Sequence, residues 1–480
     1  MINQNWANNE FANLDLGDKR LNTRLINICD RLSESPESPI NQACSNWAET
    51  KGAYRFFSNG KIDSNKILRA HILKTVVRTK KYKTILALQD TSYLIYTSHK
   101  ATKGIGDISM KRGKNIDKIF SKGLVLHTCL AISTDGLPLG LLDQSIISRK
   151  PQSATKRRKK DVTPIDKKES YRWLKSLKNS SEKIMDSQIV TVCDREADMY
   201  DLFHLSDEIK SPVLIRANFD RSINKKSRYA EKDVVKLWEY MGKRPKAGMI
   251  KINIPKKPTT RHSAQRKDRI AELTIKFGSF LFNPPRNNIR LKKEELPNLK
   301  MNAIYILEKN PPKDEKPVEW MLLTNLPINN YEQAHEKVQW YCLRWRIEIF
   351  FKVLKSGFNV EKGRLNHANR LRRYLTVMTI IACRLFMITM ISRTNQNMSC
   401  KGFLTNIEWK VLYLKTHNNK HPPSHPPRIK DVINWIARLG GFLARKKDGD
   451  PGIIVLWRGW KRLNDLTQGC RLAIEFINCG

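Results

Sequence analysis

The chain has 480 residues, enough for two or three domains, and its 40% hydrophobic content with eleven tryptophans excludes a disordered tail. Lys and Arg number 88 against 46 Asp and Glu, a formal charge of +42. That excess selects a polyanionic partner, nucleic acid before all others, with ribosome-like or membrane-surface binding as the alternative.

Residues 15–32 read as an amphipathic helix, because Leu21, Leu25, Ile28 and Leu32 recur at helical spacing and Asp18 can cap it. Lys19, Arg20, Arg24 and Arg31 lie off that apolar stripe. SESPESP (33–39) breaks the chain, and a second helical stretch covers about 40–57 with Trp47 and GAYRFF (52–57). From residue 84 the period changes to that of strands: 84–96, 123–133 and 137–148, the last two joined by the turn TDG (134–136) as a hairpin. A basic, polar loop follows (151–164), then a helix at about 166–178. QIVTVCDRE (188–196) is a buried strand ending in charge, followed by a helix at 197–205 and a strand at 212–217. This β-β-β-α-β-α-β order is that of an α/β ribonuclease H-like core.

Residues 218–317 depart from the pattern and read as a mostly β insertion, with strands at 248–255 and 270–277. Strand character returns at 320–327, and one long helix is expected from about 331 to 356, with more helices over 366–393. Tyr374–Ser392 is apolar enough to raise the question of a membrane span, but Arg384 at its middle and three threonines favour a buried core helix. HNNKHPPSHPPRIK (417–430) reads as a loop, its histidines not being at zinc spacing, and the last fifty residues read as helical. The expected division is 1–70 (N-terminal helical), 71–365 (core with insertion) and 366–480 (C-terminal helical). Nine cysteines are odd in number and form no CxxC pair, which fits reduced thiols. The first residues lack the pattern of a signal peptide, so a cytoplasmic protein is expected.

Two acids stand where strands of such a sheet end, Asp90 and Asp194. A third, Glu348, lies on the long helix. At roughly 100° per residue, Tyr341, Arg344, Glu348 and Lys355 share an arc of about 60° on an ideal helix. Leu343, Ile347, Phe350 and Leu354 gather on the opposite side. Such a face offers a hydroxyl, two cations and a carboxylate, which suits phosphates held beside a metal ligand. Hydrolysis of a phosphodiester by Mg²⁺ needs only a few oxygen ligands. Taken one at a time, an Asp at a strand end is commonly a cap, and the helix face could be a solvated one with an Arg–Glu pair.

Together these residues resemble the DDE transposases of the insertion-sequence-four family. YCLRWRIEIFFKVLKSG (341–357) is similar to the family's Y-(2)-R-(3)-E-(6)-K signature. ALQDTSYLIY (87–96) and TVCDREADMY (191–200) resemble its two acidic motifs, in order. GAYRFF, GLVLHTCL (123–130), PVEWMLLTNLP (317–327) and IARLGGF (436–442) extend the likeness along most of the chain; it is weak across 221–300. The resemblance implies catalytic, metal-binding roles for Asp90, Asp194 and Glu348, with Mg²⁺ as cofactor and Mn²⁺ able to substitute. It implies DNA contacts for Tyr341, Arg344, Lys355 and Trp345, base stacking by Trp320, and end-DNA contacts for Arg216, Arg221, Arg20 and Arg24. The alternatives are that Trp320 is a core residue of its strand and the 15–32 helix an ordinary solvated one. The implied partners are double-stranded DNA, as element inverted-repeat ends and as target, and a second copy of the chain in a paired-end complex, with no membrane. Ile436, Leu439 and Phe442, with Trp435, Trp457 and Trp460, are the expected interface or, alternatively, the small core of that region. A catalytically silent DNA-binding protein is the rival reading.

Overall fold

The computed structural model describes residues 6–109, 120–149, 164–223, 235–254, 268–285, 296–313, 315–394, 397–402, 404–418, 421–445 and 448–478. The expected basic loop at 151–164 lies outside them except for its last residue. The chain forms two compact units, one of 1–81, 91–151 and 346–480, the other of 82–90 and 152–345. Strand β1 (Thr84–Ile95) is divided between them after Asp90.

The first unit opens with five helices: α1 (Trp6–Glu10), α2 (Lys19–Glu34), α3 (Ile40–Ala43), α4 (Trp47–Ser58) and α5 (Ser64–Thr79). Asp18 caps α2 through the amide of Arg20, as its sequence suggests. The stretch expected as one helix over 40–57 is two, because Asn46 accepts from the Glu49 amide and starts α4 afresh. Strands β2 (Gly106–Ser109), β3 (Phe120–Ser133) and β4 (Pro138–Ile147) run antiparallel in sequence, and Gly136 at φ 83° makes the tight β3–β4 turn. The end of β1 runs beside β3, with the Tyr96 amide donating to Lys122 O at 2.8 Å.

The C-terminal part of this unit holds α10 (Trp345–Lys352, all but its first residue), α11 (Ala368–Thr394), α12 (Asn406–His417), α13 (Ile429–Leu439) and α14 (Ile453–Asn478). Helix α11 is the core helix that the embedded arginine suggested: 83% of its most apolar stretch is buried inside the protein. Its arginines tie it to its neighbours. Arg373 donates to Ile62 O (2.7 Å) and Phe57 O (2.9 Å), Arg372 to Ile146 O (3.0 Å), and Arg384 lies over the Trp6 ring at 4.5 Å. Helices α13 and α14 cross at two glycines: a Cβ at Gly440 would overlap Val455 O and one at Gly459 would overlap Ile436 O. Ile436 and Trp457 are therefore core, and Trp435 packs edge-on against Tyr413. Trp435, Leu439, Phe442 and Trp460 are half-buried, and exposed apolar groups lie beside them at Leu443 and further on at Leu472, Ile474, Phe476 and Ile477 of α14.

In the second unit, β1 pairs in parallel with β5 (Gln188–Cys193) and β5 with β6 (Val213–Arg216). Helices α6 (Tyr171–Ser181) and α7 (Tyr200–Glu208) cover them, burying Trp173, Leu177, Leu202 and Phe203 against Cys193, Val213 and Ile215. The pairings β4–β3–β1 in one unit and β1–β5–β6 in the other are the strand order of the ribonuclease H-like core. The insertion supplies β7 (Ser222–Ile223), β8 (Val235–Lys236), α8 (Leu237–Gly242), β9 (Gly248–Ile254), β10 (Arg269–Phe282) and β11 (Leu299–Glu308). Antiparallel β12 (Glu319–Thr324) joins β11 to β6, so the β insertion continues the core's sheet within this unit. Helix α9 (Tyr331–Leu343) follows.

The single helix expected over 331–356 is interrupted. Helix α9 ends with Arg344 as its cap, α10 begins at Trp345, and Val353–Gly357 forms a π segment. The wider π turn shifts the phase of Lys355, so an ideal 100° step does not place Tyr341, Arg344, Glu348 and Lys355 in one arc.

Candidate active site

The apolar run Ile85–Leu88 is fully buried, which draws β1 into the sheet centre, and the polar stretch Gln89–Ser92 follows it within the same strand. In the second unit, the β1–β5 register runs to Gln89 opposite Cys193. Asp90 and Asp194 are the next residues: Asp194 directly follows the end of β5, and Asp90 is the first residue of β1 beyond its pairing with β5, with the two backbones about 4.8 Å apart. Ligand sites in open α/β sheets form where parallel strands end, as β5 does before Asp194. Asp194 also shapes its own surroundings: one oxygen accepts from the Glu196 amide at 2.9 Å and starts the turn Arg195–Ala197.

A cation–aromatic array stands against these acids. Arg344 Nη1 is 3.7 Å from Asp90 Oδ2. Its guanidinium lies over the rings of Tyr341 (5.8 Å) and Trp345 (6.0 Å). Tyr341 meets Trp320 edge-on, with centroids 5.4 Å apart and planes at 64°. Arg216 lies over the Trp320 ring at 5.9 Å and donates to Glu319 O at 2.9 Å. Tyr341 is buried, so it is part of the site's wall and not of an open helix face. Burial pushes its phenol above the usual range; Arg344 and Arg216 pull back and the Asp194 charge adds to the rise. The hydroxyl therefore stays protonated and is available as a donor. Trp345, in contrast, is 57% exposed.

Sequence reading missed a second flank. Arg172 on α6 bonds Glu169 and Glu196, both at 3.2 Å. Burial and then the neighbouring Asp194 charge raise the Glu196 carboxyl, with Arg172 opposing. The adjacency of Glu196 to Asp194 in CDRE was the available signal. Arg221 is occupied elsewhere: it pairs with fully buried Asp198, which also accepts from the Asn218 (2.6 Å) and Phe219 (3.2 Å) amides, and it lies over Phe282 at 4.3 Å. It holds the loop after β6 and is turned inward.

The remaining candidates belong to the first unit. Glu348 is half-buried on the first turn of α10. Lys355 sits in the π segment, where burial lowers its ammonium and Glu361 opposes the shift. Arg20 is exposed and bonds Asp18 through two nitrogens, at 3.3 and 3.2 Å. Arg24 is exposed and its guanidinium passes over Gly52, where a Cβ would touch it at 3.5 Å.

Among the described residues, no group of three or more His, Cys, Asp and Glu side chains forms a ready-made metal cluster. The chemistry of the donors beside the end of β5 is nevertheless that of a hard cation, since Asp90 and Asp194 offer oxygen only.

Three family models match the chain in succession. Residues 3–62 match a transposase DNA-binding domain, residues 63–384 a transposase DDE domain, and residues 380–480 the Tn5 transposase dimerisation domain. The DDE match alone spans more than half of the chain and contains Asp90, Asp194 and Glu348. DNA binding, a ribonuclease H-like DDE core that cleaves DNA and transfers its strands, and a dimerisation region thus lie on one polypeptide. The chain belongs to the DDE transposases of the Tn5 or insertion-sequence-four family.

Proposed function

We propose that this transposase moves its element by cut-and-paste: strand cleavage at each end, hairpin formation and opening, then joining of the 3′ ends to target DNA. The observation that supports it most is the pair of register-adjacent carboxylates, Asp90 and Asp194, with Arg344 beside them. Glu348 is assigned as the third acid by its place in the Y-R-E-K signature. A divalent ion held by these acids, Mg²⁺ with Mn²⁺ as substitute, would stabilise charge on the attacking and leaving oxygens. One set of carboxylates can serve every step, because each step is an in-line attack at phosphorus, first by water and then by a 3′-hydroxyl.

The chain's other groups orient the DNA. Arg344 is placed to meet a phosphate next to the acids, and Lys355 supplies a second cation. Protonated Tyr341 can donate to a phosphate oxygen. Trp320 offers a face to a base turned out of the helix during hairpin formation, an interaction of about 1–3 kcal/mol. Trp345 is exposed enough to pack against DNA. Arg216 orients Trp320, and Arg221 acts by shaping the loop at 218–221. Arg20 and Arg24 on α2 meet the element's end. The division into 1–70, 71–365 and 366–480 follows these tasks, two copies pair two ends, and the cytosol is the working compartment.

The test uses labelled duplexes carrying the inverted repeats that flank the coding region. With Mg²⁺, a denaturing gel should show a nicked strand first and then a double-length hairpin strand; chelation should stop both. End binding without any nick would favour the silent DNA-binding reading. A double-strand break without a hairpin would overturn the proposed sequence of steps.

A further inference from the structure

The most exposed tryptophan lies far along the chain from the acids. Trp47 is 76% exposed, at the first position of α4, and the next most exposed tryptophan, Trp345, is at 57%. Large aromatic side chains are seldom left this open without a partner. Its backbone is fixed, because the Asn46 cap holds the helix start through the Glu49 amide at 2.9 Å.

Helix α4 divides cleanly. Thr50, Gly52, Ala53, Phe56 and Phe57 are buried, while Trp47, Ala48, Lys51, Tyr54 and Arg55 are exposed on one face. The helix has one carboxylate, Glu49, and it is withdrawn from that face: it accepts from Arg31 twice at 3.2 Å and from the Ser45 amide at 2.9 Å. The outer face therefore carries aromatic and positive groups beside one alanine, with no carboxylate, and Arg24 of α2 joins it across Gly52. A polyanion is the complementary partner, and this segment lies within the match to a transposase DNA-binding domain. From Trp47 to Arg55 the helix rises about 12 Å, which is close to the width of a major groove.

We infer that Trp47 is a specificity-determining residue: α4 enters the major groove by its N-terminus, and the indole packs on the C5-methyl of a thymine in the element's end. The residues at the start of a recognition helix reach base edges, while later ones meet phosphates. The thymine methyl is the apolar group that the major groove presents, and an indole face fits it. Lys51 and Arg55 then contact the backbone and carry no sequence information. The inference rests on the transposase reading and adds the base pair that its N-terminal region reads.

The experiment is selection of duplexes from a random library by the full chain, with chelator present to prevent cleavage. Wild type should recover a motif that includes an A·T pair whose identity Trp47→Ala no longer selects. Trp47→Ala should bind the motif about ten-fold more weakly, leave random-DNA affinity unchanged and keep the melting temperature, since the side chain has little packing to lose. Replacing that thymine by deoxyuridine should weaken wild type about four-fold, one methyl's worth of burial, and leave Trp47→Ala unaffected. Lys51→Ala should lower both affinities alike. An unchanged motif and affinity in Trp47→Ala, or equal losses on motif and random DNA, would overturn the inference while leaving end recognition intact. A wild-type chain that recovers no motif at all would overturn end recognition and this inference with it.

Discussion

Two regions of the molecule set carboxylates against arginine, and they do so to opposite ends. In the first unit, Glu10 of α1 has both oxygens bonded: Oε1 to His71 Nδ1 at 2.6 Å, Oε2 to Arg78. His71 Nε2 in turn accepts from the Leu141 amide at 2.9 Å, so its Nδ1 carries the proton given to Glu10. The cluster is closed, buried and tied to α5 and β4. In the second unit, Asp90 lies within β1 next to the end of β5, and Arg344 Nη1 is 3.7 Å from its Oδ2. Glu10 is a structural clamp, bonded through both oxygens to α5, whereas the Asp90–Arg344 pair stands beside a second acid, Asp194, at the end of β5. Asp198 repeats the lesson four residues from Asp194: buried, paired with Arg221 and bonded to two amides, it is a clamp.

Substitution should separate the two kinds. Asp90→Asn and Asp194→Asn should lower end cleavage by about a thousand-fold or more, with end binding nearly unchanged and no loss of melting temperature. A marked loss of stability with cleavage retained would place that acid among the clamps. Glu10→Gln should do the reverse, keeping cleavage at low temperature and costing about 3 kcal/mol in denaturant unfolding, the scale of a broken buried pair.

Acid sharpens the second case. Burial alone would raise the Glu10 carboxyl, but His71 and Arg78 bring it from 4.5 down to about 2. A carboxyl lowered on folding stabilises above its unfolded value and loses that stabilisation as pH falls through the folded one. The stability gap between wild type and Glu10→Gln should thus be full above pH 4.5 and close toward pH 2. A gap independent of pH over that window would deny Glu10 its charge.

The aromatic neighbours extend the contrast on a smaller scale. Trp320→Ala should slow hairpin formation by about ten-fold or more, one base stack, while sparing the first nick. Equal slowing of both with a lowered melting temperature would make Trp320 a core residue. Gly459→Ala, at the closed α13–α14 crossing, should cost about 1–3 kcal/mol and weaken pairing of two copies, because a backbone carbonyl cannot yield as a side chain would. Unchanged stability would mean that the crossing relaxes.

Much of the catalytic core was legible because its strands are continuous apolar runs that end in charge, as in 84–90 and 188–194. Asp90, Asp194, Arg344, Tyr341, Trp320 and Arg216 were all named from the sequence, and they lie in one unit. Other elements carry weaker signals. Helix α5 buries Ile67, Leu68, Ala70, His71, Ile72, Thr75 and Thr79, which surround much of its circumference and leave no clear stripe. Its β-branched tail, TVVRT, reads as well for strand as for helix. Strand β11 alternates buried and half-exposed residues in a basic stretch and escapes notice for that reason. The break at Arg344 and the π segment at 353–357 have no mark in residue type, since every residue from 341 to 355 suits a helix. The engagement of Arg221 by Asp198 is likewise invisible in sequence, because the pair spans 23 residues and depends on the loop after β6.

The most direct test of the central claim asks where a divalent ion sits, without reference to cleavage of DNA. Fe²⁺ accepts the oxygen ligands that bind Mg²⁺, and with ascorbate and peroxide it generates radicals that cut the polypeptide beside the ion. Incubated with the full-length protein, it should release fragments ending near residues 90 and 194, and near 348 if Glu348 completes the site. Excess Mg²⁺ should suppress the cuts, and Asp194→Asn should abolish them. Cuts confined to other parts of the chain, or the same cuts undiminished in Asp194→Asn, would contradict the assignment of Asp90 and Asp194 to the catalytic centre.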